Sequence, residues 1–311
     1  MAGSLLLSRF GWCWILLVHL TVLLAQPVAA EERADRLWDF AKHLYDKQDY
    51  YQALSEYQRF IFLFPKDHRT DQAKLQIGRC YRREGKGDEA FSYLIKLFNA
   101  RAEEPVGPEA LLEMIAIQEE QARYPRAIYW TKQFIERYPD YKDLDSVYLR
   151  LAWLQIDSGR YESAMATLVE IQPGSKHYPR ARSLRQALHQ RPGKEKRSPV
   201  TAGLLSGIVP GSGHLYAGRP GQAVSSFLLN ALFITGAVLA FEHDSPVLGG
   251  ILVFFEVGWY VGGIRSAAQT AREENQKDER EYRRELRETY HLSFGIDPRK
   301  DHLALCLRFS F

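Results

Sequence analysis

The sequence predicts an all-α chain: a helical solenoid followed by a transmembrane helical hairpin, with a short β-hairpin at the C-terminus. Three observations carry this. Small and large apolar residues recur at a fixed interval through residues 31–190, two apolar runs of bilayer length follow within residues 200–268, and residues 291–311 switch to a two-residue alternation. Bulk properties narrow the function classes. The 311 residues carry 41 basic and 38 acidic side chains, too balanced for a nucleic-acid footprint. The three cysteines, Cys13, Cys80 and Cys306, lie far apart in different modules, which argues against a disulfide framework or a cysteine metal site.

Residues 1–30 carry the parts of an export signal. Arg9 supplies positive charge, Trp12 to Leu24 is an apolar stretch, and Val28-Ala29-Ala30 places small residues ahead of cleavage between Ala30 and Glu31. The apolar stretch falls short of the roughly 20 residues of a comfortable span. An uncleaved anchor is the alternative; under either reading the chain after Ala30 starts outside the cytoplasm. Cys13 sits inside the apolar run, so no lipoprotein signal is indicated.

In residues 31–190, Ala53, Ala90, Ala127 and Ala164 stand 37 residues apart. Twelve positions before them stand Ala41, Gly78, Ile115 and Ala152; seven after them stand Phe60, Leu97, Phe134 and Ile171. Bulky Trp38, Leu75, Leu112 and Leu149 recur fifteen positions before. Small residues let two antiparallel helices approach, and large ones fill the groove between successive pairs. Turn signals at 47–50, 84–88, 122–124 and 158–161 precede each second helix, while Phe64-Pro65, Tyr138-Pro139 and Gln172-Pro173 close three units.

These residues resemble the tetratricopeptide repeat family, with its period of about 34 residues stretched by a few. The F-P and Y-P endings resemble repeats of periplasmic envelope-assembly and peptidoglycan-associated proteins. The third unit departs from the family pattern, with Ile115 at a small-residue site and Gln118 where an aromatic is common. Many tyrosines, among them Tyr45, Tyr57, Tyr81, Tyr93, Tyr141 and Tyr148, recur through the repeats. They fill grooves between helices or line a concave surface for an extended or helical peptide; the sequence leaves both open.

Residues 191–199 are basic, contain proline and lack apolar periodicity, as a linker does. In the transmembrane domain, 200–268, Gly221–Phe241 and Val247–Ala268 are each about one bilayer long, joined by Glu242-His243-Asp244-Ser245-Pro246. Small residues four apart support close helix packing: Gly203/Gly207, Gly207/Gly211, Gly236/Ala240 and Gly258/Gly262. Pro210, Gly211, Gly213, Tyr216 and Gly218, with Phe227-Leu228-Leu229-Asn230-Ala231 and Phe255-Glu256-Val257-Gly258-Trp259-Tyr260, resemble a small bacterial family of two-span membrane domains. That family bears a P-G-x-G-x-x-Y signature and is often joined to tetratricopeptide repeats. The glycines do not form a phosphate loop, because no strand precedes them and no Lys-Ser/Thr follows.

Within the spans, Asn230 and Glu256 are polar residues near mid-bilayer. A carboxylate there costs about 2.5–3.5 kcal/mol unless neutralised or paired. Asn230, His214 and Tyr216 are the candidate partners, in a structural clamp or in a proton or substrate path. The arginines flanking the hairpin place its ends in the cytoplasm by the positive-inside rule, whereas the export signal places residue 190 outside. A third, kinked span over 200–216 reconciles the two; a re-entrant lead-in is the other possibility.

Residues 269–290 interleave acidic and basic residues, as in a solvated helix with i,i+4 pairs such as Glu279/Arg283. Residues 291–311 alternate through Leu303, Leu305, Leu307, Phe309 and Phe311 as a two-strand hairpin. Its closing Phe resembles the terminal strand of outer-membrane barrels. The chain thus reads as a non-enzymatic, membrane-anchored scaffold of a bacterial cell envelope, its repeats in the periplasm binding a protein partner, with no cofactor, metal, nucleotide or nucleic acid. The alternative is a small membrane transporter or insertion factor acting through His214, Asn230 and Glu256.

Overall fold

The computed structural model describes residues 31–191 and 196–290, and every regular element among them is a helix. The predicted export signal with Ala30, the linker residues 192–195 and the predicted β-hairpin 291–311 lie outside the described residues. The chain divides into two compact units, one up to Arg185 and one from Gln186 to His291.

The first unit is a solenoid of antiparallel pairs: α1 (31–46) with α2 (Tyr50–Leu63), α3 (Thr70–Arg83) with α4 (Gly87–Arg101), α5 (Val106–Glu120) with α6 (Tyr124–Arg137), and α7 (Leu144–Asp157) with α8 (Tyr161–Val169). Helix α9 (Tyr178–His189) follows. Each helix from α2 to α8 packs on its sequence neighbours, and α3 also packs on α5, the first helix of one pair on the first helix of the next. That contact is what makes a stack of pairs into a solenoid.

The 37-residue period is visible in the backbone. Gln48, Gly85, Ala122 and Gly159 each adopt a left-handed conformation between the two helices of a pair, with φ of 65°, 75°, 53° and 77°. In each turn the left-handed residue's N–H bonds the carbonyl three back, and the next N–H bonds the carbonyl five back. This is the Schellman closure, which satisfies carbonyls that the helix end would otherwise leave unpaired. Two units use glycine there and two accept the strain of a side chain.

Ala41, Ala53, Ala90, Ala127, Ala152 and Ala164 are fully buried, as are Phe60, Phe134 and Ile115, with Leu97 and Ile171 close behind. Gly78 is buried against the Leu94 side chain, leaving no room for a Cβ. One apolar core runs through α1–α3, and another through α3–α7. Ion pairs bridge successive units: Asp35–Arg69, Asp88–Arg123, Glu103–Arg137 and Glu119–Arg150.

The second unit contains α10 (Pro199–Ile208), α11 (Ser212–Tyr216), α12 (Pro220–Glu242) and α13 (Pro246–Tyr290). Helices α12 and α13 form an antiparallel hairpin, and both are long and apolar enough to cross a membrane. Only 17% and 6% of their most apolar windows are buried within the chain, so they are not core helices of a water-soluble domain. The span and the charged segment predicted as separate helices are one helix, α13.

Residues 200–216 do not form a third spanning helix. Helix α10 has 10 residues, roughly 15 Å at 1.5 Å per residue, against about 30 Å of hydrocarbon. The chain then turns back at Val209-Pro210-Gly211, and the Tyr216 hydroxyl accepts a bond from the Ser198 N–H at 3.1 Å. The segment therefore folds back so that its two ends meet, the geometry a re-entrant lead-in requires. The motif glycines make this turn possible. A Cβ on Gly211 would strike the Ala223 carbonyl, and one on Gly213 the Ala202 carbonyl.

Candidate functional site

In the first unit, side chains from α1, α3, α5 and the start of α7 surround a groove of about 1320 Å³. Trp38, Tyr45 and Tyr57 lie at one end, Tyr141 and Tyr148 at the other. Gln72 and Gln76 supply amides between them, and Pro105, Pro108 and Pro139 add rigid apolar edges. Burial pushes the Tyr45, Tyr141 and Tyr148 phenols above their ordinary value of 10, so they remain neutral donors at physiological pH. Tyr81, Tyr93, Tyr124 and Tyr138 pack against the apolar cores, and so do Tyr45 and Tyr141 from the groove, where Tyr57 is buried in the wall; Tyr51 and Tyr129 are exposed outside the groove.

The groove wall contains a buried ion network that sequence reasoning missed. Glu113 on α5 is 1% exposed. Its Oε1 accepts from Arg79 Nε at 2.7 Å and its Oε2 from Arg82 Nη1 at 2.5 Å. Arg79 also reaches Glu109 at 3.1 Å, and Arg82 reaches Glu120 at 2.6 Å. Burial alone would push the Glu113 carboxyl up, but the two guanidiniums outweigh it and hold it below the ordinary carboxylate value. The clue in the sequence was weak: Arg79 and Glu113 are 34 residues apart, close to one repeat, but charged residues at that spacing are common throughout. At the far end of the groove, Asp143 pairs with Lys176 and with His177 Nε2, both at 3.0 Å. These charges are matched inside the protein; the groove lining also carries Lys42, Asp46, Lys142, Asp145 and Glu170 beside its aromatic and amide groups.

In the second unit the three predicted polar residues do not come together. Asn230 is 2% exposed and donates to the Ser226 carbonyl at 2.6 Å. His214 Nε2 lies 3.1 Å from Ser266 Oγ, and Tyr216 bonds Ser198. Both Glu256 oxygens are covered and have no hydrogen-bond partner. The expected hydrogen-bonded Glu256 clamp is not seen among the described residues: Asn230, His214 and Tyr216 each make another bond, although Asn230 Oδ1 and His214 Nδ1 are left without a partner. One and two turns on from Glu256 along α13 stand Tyr260 and Ile264. Those two contact α10, Tyr260 bonding the Gly207 carbonyl and Ile264 packing on Gly203 and Gly207.

The charged part of α13 is not merely solvated. Arg219 pairs with Glu274, Arg197 with Asp278, and Arg191 with Glu279. Asn275 bonds the Arg197 backbone in both directions, at 2.9 and 2.8 Å. Residues 191–198 of the predicted linker, where described, are therefore strapped to α13 at the base of the hairpin.

Among the described residues no group of three His, Cys, Asp or Glu side chains could hold a metal. No family model and no curated protein matches the chain. Among solved structures, a tetratricopeptide repeat protein from Parabacteroides merdae is similar, at 13% identity and a TM-score of 0.41, over 83% of this chain and 98% of that one.

Proposed function

We propose that the chain is a membrane-anchored scaffold of the cell envelope, whose repeat groove receives an extended segment of a protein partner in the periplasm. The groove carries this reading: aromatic groups at both ends, amides between them, and charged side chains of both signs along its edge suit an extended polypeptide. The re-entrant lead-in puts residues 197–198, 219 and 274–275 at one level of the membrane domain. A large domain behind an export signal translocates largely regardless of charge. We therefore place this base outside and the hairpin tip, 243–245, in the cytoplasm.

A photo-crosslinking residue at Gln72 or Tyr148, compared with one at the exposed Tyr129, tests the groove in intact membranes. Crosslinks to one protein from the groove positions and none from Tyr129 are expected. Crosslinks from Tyr129 alone would sink the reading. A transporter or insertion factor is the second reading, favoured by the unpartnered Glu256 carboxylate. It requires that Glu256→Gln abolish cellular function and that deleting 31–190 leave membrane activity in place; the scaffold requires the reverse.

A further inference from the structure

A crevice of about 1060 Å³ runs between α12 and α13. Its floor is made by missing side chains, since a Cβ on Gly258 or Gly262 would meet no atom within 4 Å. Leu229, Phe254, Phe255 and Trp259 form apolar walls. Hydrogen-bonding side chains gather at one end: His214, Gln222, Ser225, Ser226 and Ser266.

That polarity runs along the bilayer normal. The Arg219–Glu274 pair marks the water-facing end of the hairpin, and Gln222 bonds Thr270 one turn inside it. Ser226 is about 9 Å along α12 from its start, and Gly258 is roughly 12 Å along α13 beyond Ser266, at 1.5 Å per residue. The polar end therefore lies near the headgroup–ester boundary and the glycine floor lies in the hydrocarbon. His214 closes the polar end of the crevice. It is 4% exposed, its Nε2 is held by Ser266, and its Nδ1 has no partner.

A membrane lipid has the same order of chemistry, oxygens at the interface and an acyl chain below. We propose that this crevice binds one glycerophospholipid, with its ester and phosphate oxygens toward Ser226 and Ser266 and an acyl chain lying on Gly258 and Gly262. The inference rests on the hairpin spanning the bilayer.

The test places the full chain in vesicles containing a phospholipid with a photoactivatable acyl chain, and maps the labelled residues by mass spectrometry. Label concentrated on Leu229, Phe254, Phe255 and Trp259 is expected. It should fall several-fold in a Gly258→Leu/Gly262→Leu double variant and be unchanged in Gly250→Leu, which fills open space outside the crevice. Should the double variant fail to insert, Ser266→Ala carries the test, with less phospholipid retained per protein through detergent purification. Even labelling around both helices, or label unaffected by these variants, would overturn the site and leave ordinary surrounding lipid. Crosslinks joining two copies through Gly258 would overturn it in favour of a second chain. Release of the unmodified chain by alkaline carbonate would instead remove the spanning assignment on which the site depends.

Discussion

Glu113→Gln should cost the repeat domain about 3 kcal/mol, because removing one partner of a buried ion pair leaves the other charge stranded at a cost of about 3–5 kcal/mol. The lower end of that range applies here. Arg79 keeps Glu109 and Arg82 keeps Glu120, but those carboxylates are 35% and 53% exposed and solvent screens them. Hydrogen exchange of the full-length protein reads the effect locally, which suits a solenoid that opens unit by unit. Peptides of α3 and α5 should exchange on the order of 100-fold faster, at about 1.4 kcal/mol per tenfold. Glu120→Gln, at the solvent edge of the same network, should cost under about 1 kcal/mol. The pH dependence has a definite sign. The folded carboxyl is held below the unfolded value of 4.5, so its contribution is fully present above that value and disappears as pH falls through the lower, folded one. The gap between wild type and variant should therefore close in acid. A change below about tenfold, or one equal to that of Glu120→Gln, would refute the claim that Glu113 joins the two units.

Ala122→Gly should stabilise the third repeat by about 1 kcal/mol, and Gly159→Ala should destabilise the fourth by a similar amount, since both positions are left-handed; opposite shifts in local hydrogen exchange would check this. Burial pushes the Cys80 thiol up to about 12, so alkylation at pH 8, followed at that residue by mass spectrometry, should require unfolding. Fast labelling of the native chain would contradict its burial. Gly213→Ala should disrupt the re-entrant turn, because its Cβ would strike the Ala202 carbonyl, whereas Gly221→Ala fills open space. Protease protection of 199–218 in membranes should fall only in the former. Cysteines placed at Lys196 and Lys277 should react with an impermeant reagent from one side of the membrane, and one at Asp244 from the other. Labelling of 196 and 277 from opposite sides would restore a third span.

Much of the fold is legible in residues because its rules are local. A 37-residue interval of alanines and large apolar side chains encodes stacked helix pairs, and long apolar runs encode helices of bilayer length. Ala41, Ala53 and Ala90 lie deep in the stack, where small side chains let neighbouring helices approach closely. Gln48 and Ala122 show how far the period reaches: they hold the glycine position of the turn without being glycine, since neighbouring packing sets their backbone.

Contacts between distant residues were not legible. Which tyrosines face the groove depends on helix phase and on the rotation between successive pairs, and neither is written in composition. Glu113 was one carboxylate among many until α3 and α5 brought two arginines onto it. At the hairpin, similar depth suggested that Glu256 meets Asn230, but Asn230 donates instead to the Ser226 carbonyl of its own helix and Glu256 has no hydrogen-bond partner. The P-G-x-G-x-x-Y string is visible in the sequence as a motif. Its meaning, a lead-in folded back so that Tyr216 reaches Ser198, comes from backbone carbonyls that approach too closely for any Cβ. Sequence alone therefore determined the periods and the lengths of the elements, which depend on neighbours along the chain. Tertiary structure decided the pairings, because side chains far apart in sequence meet only once those elements are packed.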